Sequence, residues 1–178
     1  EIGDDNQIRE YVSLHRGTVQ DQGLTRIGSR NLLMTSVHIA HDVVMGDDNI
    51  IASGTGVAGH VHMGDHVILG GMTGVHQFCH IASYSMAAGC TLIVKDIPAY
   101  VMVGGNPASA YGMNFEGMRR RGWSAETIAA LKKAYRIVYR DKLTLEVAIA
   151  EAEKLVAESP EVQLFIDSLK ASTRGIVR

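Results

Sequence analysis

With 178 residues, a formal net charge of −2 and 20 % charged residues, the chain does not have the balance of a nucleic-acid binder or of a protein held to a membrane by charge. No apolar run approaches the roughly 20 residues of a membrane span, and no signal-peptide pattern opens the chain. Nineteen glycines beside three prolines and 6 % aromatics predict a repetitive, tightly turning backbone instead.

That repeat begins at once. Aliphatic residues recur every sixth position at Ile2, Ile8 and Leu14, pause, and resume at Ile27, Leu33, Ile39, Met45, Ile51, Val57, Met63, Leu69, Val75, Ile81, Ala87, Ile93 and Ala99. A small residue usually follows each of them, and four positions on comes a small or β-branched one such as Thr18, Val37, Val43, Thr55 or Val61. Neither the helical period nor simple alternation fits this spacing. A short strand plus a tight turn does, and three such units make one triangular coil whose apolar column is buried only by stacking on its neighbours. Because the chain enters the repeat directly at Ile2, without an atypical capping unit, its first coils are expected to be missing.

The pause contains RGTVQDQGLT (Arg16–Thr25), polar with two glycines, and predicts a loop thrown out of the stack. An irregular turn and a functional flap are both open for it. After Pro107 the period changes. Ser124 is placed to cap a helix with Ile128, Leu131, Tyr135 and Val138 on its apolar face. Thr144 precedes a second helix with Leu145, Ala148, Ile149, Ala152, Leu155 and Val156, and Ser159-Pro160 a third with Val162, Phe165, Ile166 and Leu169. The expected organisation is a parallel β-helix over residues 1–107 and a helical domain over 108–178.

Counting by eighteen places the hexads at Ile39, Val57, Val75 and Ile93 on one face, which gathers His41, His60 and His76 near one column. A seven-residue insertion would add Leu14, and with it His15; His38 precedes His41 by one turn. Histidines in such a cluster suit acid–base chemistry if a neighbour such as Asp42 holds the tautomer. Zinc held by His38, His41 and His60 is the rival reading. His62, His66 and His80 read as solvated turn residues, and Cys79 and Cys90 as small buried thiols of a reducing compartment.

The strings HIAHD (His38–Asp42), AGHV (Ala58–Val61), GGMTGVHQFC (Gly70–Cys79), DIPAYV (Asp96–Val101), GNP (Gly105–Pro107) and MNFEGMRRRG (Met113–Gly122) sit beside HRGTVQ (His15–Gln20) and the ending STRGIVR. Together they resemble the UDP-N-acetylglucosamine O-acyltransferases that begin lipid A biosynthesis, over essentially the whole chain and with about the first third of the family's length absent. The resemblance implies a left-handed hand for the β-helix and a cytoplasmic homotrimer with its active sites between subunits. It also implies transfer of an (R)-3-hydroxyacyl group from acyl carrier protein to the 3-hydroxyl of the sugar nucleotide, without a cofactor.

On the matching positions His41 would be the general base, Asp42 its orienting partner and Gly59 N–H the oxyanion donor. His38, His60 and Gln77 would contact the sugar, and His15 and His76 would line the cleft. Asn114, Glu116, Arg120 and Arg121 would meet the nucleotide, with Gly89 setting acyl length. Two alternatives share the repeat: the related UDP-3-O-acylglucosamine N-acyltransferase, and a trimeric β-helix carbonic anhydrase that would need zinc.

Overall fold

The computed structural model describes residues 1–178. Fourteen strands of two residues each follow the hexad grid: β1 (Gln7–Ile8), β2 (Ser13–Leu14), β3 (Arg26–Ile27), β4 (Leu32–Leu33), β5 (His38–Ile39), β6 (Val44–Met45), β7 (Ile50–Ile51), β8 (Gly56–Val57), β9 (His62–Met63), β10 (Ile68–Leu69), β11 (Gly74–Val75), β12 (His80–Ile81), β13 (Met86–Ala87) and β14 (Leu92–Ile93). They stack as three parallel sheets, the faces of a left-handed triangular β-helix. We call them the first face (β1, β4, β7, β10, β13), the second (β2, β5, β8, β11, β14) and the third (β3, β6, β9, β12).

The grid works because each hexad spends one residue on a left-handed corner. Positive φ recurs at Arg30, Ser36, Asp42, Asp48, Gly54, His60, His66, Met72, Phe78, Tyr84 and Cys90, all but one of them residues that carry a Cβ. Such a conformation costs a non-glycine residue about 1 kcal/mol, and closing the turn onto a fully buried aliphatic column offsets it. Leu33, Ile39, Ile51, Val57, Leu69 and Ile93 are each 0 % exposed, whereas Ile2 and Ile8 are 55 % and 43 % exposed. Two positions depart from the grid without breaking it. Asn31 and Asn49 stand where a β-branched residue would, and their side-chain oxygens accept from Asn49 N–H and Val67 N–H, building a polar ladder up the interior.

The pause between Leu14 and Ile27 is indeed an insertion of seven. β2 pairs with β5 in the register Leu14↔Ile39, so Leu14 joins the second face. Thr18 does not continue the interior pattern as its spacing predicts: it lies in the loop and turns to Asp42.

Beyond β14 the structure adds elements that the periodicity did not predict. β15 (Val101–Gly104) extends the first face beside β13, and β16 (Ser109–Met113) folds back antiparallel on it. A short helix α1 (Phe115–Arg120) follows, with the Asn114 side chain accepting from Gly117 N–H. The three predicted helices are present as α2 (Ala125–Tyr139), α3 (Leu145–Glu153) and α4 (Glu161–Lys170). Ser124 and Thr144 cap the first two as expected. Ser159 does not cap α4; Pro160 holds the N-cap position and the Ser159 hydroxyl donates to Glu161 instead. Val162, Phe165, Ile166 and Leu169 are buried in one continuous apolar cluster that reaches down to Ile27, so helices and β-helix share a core. Cys79 is buried as predicted, but Cys90, on a left-handed corner, is exposed.

Candidate active site

Where the second face turns into the third, the corner residues are His41 and Asp42 in one coil, Gly59 and His60 in the next, and Gln77 and Phe78 above. In an extended strand adjacent side chains point apart; here Asp42, at φ 58°, bends its carboxylate back onto its neighbour, and its Oδ2 lies 2.9 Å from His41 Nδ1. The ejected loop completes that carboxylate's shell. Thr18 donates to it through its N–H (2.9 Å to Oδ1) and its hydroxyl (2.7 Å to Oδ2), while Thr25 Oγ1 accepts from Asp42 N–H. Burial alone would raise the Asp42 carboxyl, but the bonds from Thr18 and His41 outweigh it and hold its pKa at about 2. Asp42 is therefore ionised at neutral pH, and as an acceptor it places the His41 proton on Nδ1, which leaves Nε2 with a lone pair.

Gly59 faces that nitrogen. A Cβ here would lie 2.9 Å from His41 Nε2 and 2.7 Å from Cε1, so only glycine leaves the approach open. The Gly59 N–H has no acceptor within the chain. His60 is the next ring, 5.0 Å from His41 and edge-on to it, with Phe78 stacked on its far side at 4.6 Å. Asp21 of the loop lies 2.7 Å from its Nδ1.

A groove of about 410 Å³ runs from this corner across the second face, bounded by His38, Ala40, Ala58, Gly59, His76 and Leu92. Glycines make it: Gly56 and Gly74 stand between His38 and Leu92 in the outward column, where a Cβ at Gly56 would meet nothing within 4 Å. His38 is held by the Ser13 hydroxyl at 2.7 Å, with His15 edge-on at 4.6 Å; burial, and then the charge of His15, pull His38 below the ordinary imidazole range.

The predicted site residues thus fall into four places. His41, Asp42, Gly59, His60 and Gln77 share the corner. His38 and His76 lie along the groove, with His15 beside His38 but outside the groove lining, and His76 is not stacked with His41 and His60 as counting suggested. Its column is His15, Ala40, Ala58, His76, because the three histidines sit at different offsets from their aliphatic residue. Asn114, Glu116, Arg120 and Arg121 are elsewhere, around a cavity of about 730 Å³ against Ile68, Met86 and Met102 of the first face. There Arg120 pairs with Glu116 at 3.2 Å and Arg121 lies 5.5 Å from the Tyr84 ring centre. Within one chain the two groups do not meet. Gly89 marks the far corner, where the first face turns into the second, and a Cβ on it would approach the Gly71 carbonyl oxygen to 3.3 Å.

Spacing missed Ser13, Thr18, Asp21 and Thr25. The one available signal was that the insertion leaves the stack directly after Leu14, on the His41 face. Three histidines predicted to be solvated do make partners: His62 and His80 stack at 5.1 Å, and His66 stacks on Tyr84 at 4.8 Å. His41, Asp42 and His60 offer ligand atoms within 4.8 Å of one another, a set that differs from the predicted zinc triad by Asp42 in place of His38. Asp42 already serves Thr18 and His41, and Asp21 occupies one nitrogen of His60.

The chain as a whole matches known proteins. A family model described as "Udp N-acetylglucosamine O-acyltransferase; Domain 2" matches residues 96–177, and one described as "Bacterial transferase hexapeptide (six repeats)" matches residues 24–59. The acyl-[acyl-carrier-protein]–UDP-N-acetylglucosamine O-acyltransferase of Ectopseudomonas mendocina is 57 % identical over 177 residues, which are 99 % of this chain and 69 % of that protein. The chain belongs to the UDP-N-acetylglucosamine O-acyltransferase family.

The enzyme of the same name from Aeromonas salmonicida is 56 % identical over all of this chain and 68 % of its own. Among solved structures, the UDP-N-acetylglucosamine O-acyltransferase of Moraxella catarrhalis superposes with a TM-score of 0.98 at 61 % identity, over 99 % of this chain and 69 % of that one. The Francisella novicida UDP-N-acetylglucosamine acyltransferase does so with 0.96 at 38 % identity, over 99 % and 65 %. As a UDP-N-acetylglucosamine O-acyltransferase family member the protein is an acyltransferase, and the N-acyltransferase and carbonic anhydrase readings give way. No helix in it is long and apolar enough to cross a membrane.

Proposed function

We propose that the chain transfers an (R)-3-hydroxyacyl group from acyl carrier protein to the 3-hydroxyl of UDP-N-acetylglucosamine, the first step of lipid A synthesis, with His41 as general base. The observation that carries this is the His41–Asp42 pair, its carboxylate locked by Thr18 and its Nε2 open over Gly59.

In the reaction, the sugar hydroxyl donates to His41 Nε2 and loses its proton as its oxygen attacks the thioester carbonyl. Asp42 stabilises the imidazolium through Nδ1. The oxyanion that forms accepts from the Gly59 N–H, a preorganised donor of the kind that lowers acyl-transfer barriers. Collapse breaks the C–S bond, the carrier's thiolate takes the proton from His41, and the ester leaves. The groove beside Gly59, lined by Ala40, Val57, Ala58, Val75 and Leu92, offers the apolar surface an acyl chain needs.

Asn114, Arg120 and Arg121 carry the hydrogen-bond donors and positive charge that suit a nucleoside diphosphate, and Glu116 offers acceptors for its hydroxyls. They sit on another face from His41, so the complete cleft forms between copies of the chain, as a homotrimer. The substrates place the reaction in the cytoplasm.

The direct test supplies the protein with UDP-N-acetylglucosamine and 3-hydroxyacyl carrier protein and looks for a base-labile ester on the sugar. No ester from a preparation with its β-helix intact would refute the assignment. Acyl length is a separate outcome. Gly89→Met should shift the preferred donor shorter by several carbons, because the new side chain adds bulk at a corner where its Cβ already lies 3.3 Å from Gly71 O. Unchanged chain selectivity would remove Gly89 from that role.

A further inference from the structure

The loop between β2 and β3 brings a second carboxylate to the corner. Asp21, at its outer turn, reaches His60 Nδ1 at 2.7 Å, a contact between residues 39 apart in sequence. The ring is held on three sides: Phe78 stacks on it nearly parallel at 8°, His41 meets it edge-on, and Asp21 takes Nδ1. Its side chain is 15 % exposed against 39 % for Asp21, so the ring is enclosed while the carboxylate still meets water. An aspartate can only accept, so Nδ1 carries the proton and Nε2 is the one polar atom of the ring left to a ligand. Thr18 ties the base of the same loop to Asp42. One segment therefore orients both histidines of the corner, each through a carboxylate on Nδ1.

We infer that Asp21 is a positioning residue for the acceptor: it holds His60 in the Nδ1–H form and presents Nε2 as an acceptor for a hydroxyl of the sugar, beside His41. This rests on the reaction proposed above. As an ion pair alone, so exposed a contact would contribute little to stability; its effect lies in the ring's tautomer and aim. The loop is then part of the acceptor site and not merely an irregular turn. His60 accepts from the substrate in the ground state and in the transition state alike, so its loss should appear in binding more than in turnover.

The test compares wild type with Asp21→Ala and Asp21→Glu, varying UDP-N-acetylglucosamine and the acyl carrier protein separately, and reads the His60 ring by nitrogen-15 chemical shifts in histidine-labelled protein. Asp21→Ala should raise KM for the sugar nucleotide about tenfold while kcat and KM for the acyl donor stay within about twofold, and Asp21→Glu should recover most of the loss. The ring should be protonated on Nδ1 in wild type and become a mixture of tautomers in Asp21→Ala. An unchanged KM for the sugar nucleotide in an active enzyme would overturn the inference. So would a His60 tautomer that ignores Asp21, or equal losses for both substrates with a lowered Tm, the mark of a structural loop. A wild type that forms no ester sinks the proposed reaction instead, and the ring spectrum then still decides whether Asp21 sets the His60 tautomer.

Discussion

Replacing His41 with alanine should lower the rate of ester formation by about a thousandfold or more, with the β-helix intact. General-base catalysis contributes about 10² to 10⁴ in rate, and His41 is the ring that stands against Gly59. His60 instead holds a sugar hydroxyl, in the positioning role inferred above, and Asp42 is buried beneath Thr18 with a pKa of about 2, too weak a base for that hydroxyl. The loss should fall on kcat, since His41 acts on a proton that moves only in the transition state. Asp42→Asn should fall between, about a hundredfold, because an amide turned the wrong way can donate to Nδ1 and put the proton on Nε2. Steady-state rates read beside thermal unfolding decide the matter. More than about a tenth of wild-type activity in His41→Ala would end its assignment as the base.

Removing the Asp96 carboxylate should produce the largest loss of stability among the polar side chains. Asp96 is 2 % exposed and its oxygens accept from His80 N–H (2.8 Å), the Ser172 hydroxyl (2.8 Å), Thr173 N–H (2.9 Å) and Arg174 N–H (3.0 Å). Its own backbone pairs with the same tail, accepting from Val177 N–H and donating to the Gly175 carbonyl. The tail STRGIVR thus closes the end of the β-helix, with Ile176 and Val177 buried against it. Asp96→Ala strands buried donors at about 1–3 kcal/mol for each that water cannot reach. The expected total of about 3 kcal/mol corresponds to a Tm lower by about 6–12 °C in a domain of this size. Asp96→Asn should rescue little, because its amide nitrogen is a donor facing donors. A Tm within about 2 °C of wild type for Asp96→Ala would refute this role for the carboxylate.

These two residues differ in how far they were legible beforehand. His41 stands out in HIAHD and lies on a face that counting can find, because a fixed repeat converts sequence distance into spatial position. Asp96 was visible only as part of a resemblance. Three of its four side-chain partners are 76 to 78 residues away, past the point where the repeat stops. The helices α2 and α3 were legible from caps and apolar spacing, and α4 from its apolar spacing, since those signals are local. The hairpin of β15 and β16 was not, because its pairing depends on a sheet edge that earlier coils provide. His76 was misplaced for a related reason. Counting assigns a hexad to a face, but the position within the hexad decides which column of that face a side chain joins.

The sequence by itself determined the β-helix, its three faces, the seven-residue insertion and the histidine-rich corner, because a buried column repeated every sixth residue admits one stacking register. Only the tertiary structure decided what the insertion does. Thr18, Thr25 and Asp21 reach Asp42 and His60 because the loop leaves the stack one coil below and folds back over the same corner. It alone separated the arginines of α1 from the histidines, by wrapping the chain past Pro107 onto the first face. A repeat carries its geometry in its period; a loop has no period, so its contacts exist only once the coils it rests on are in place.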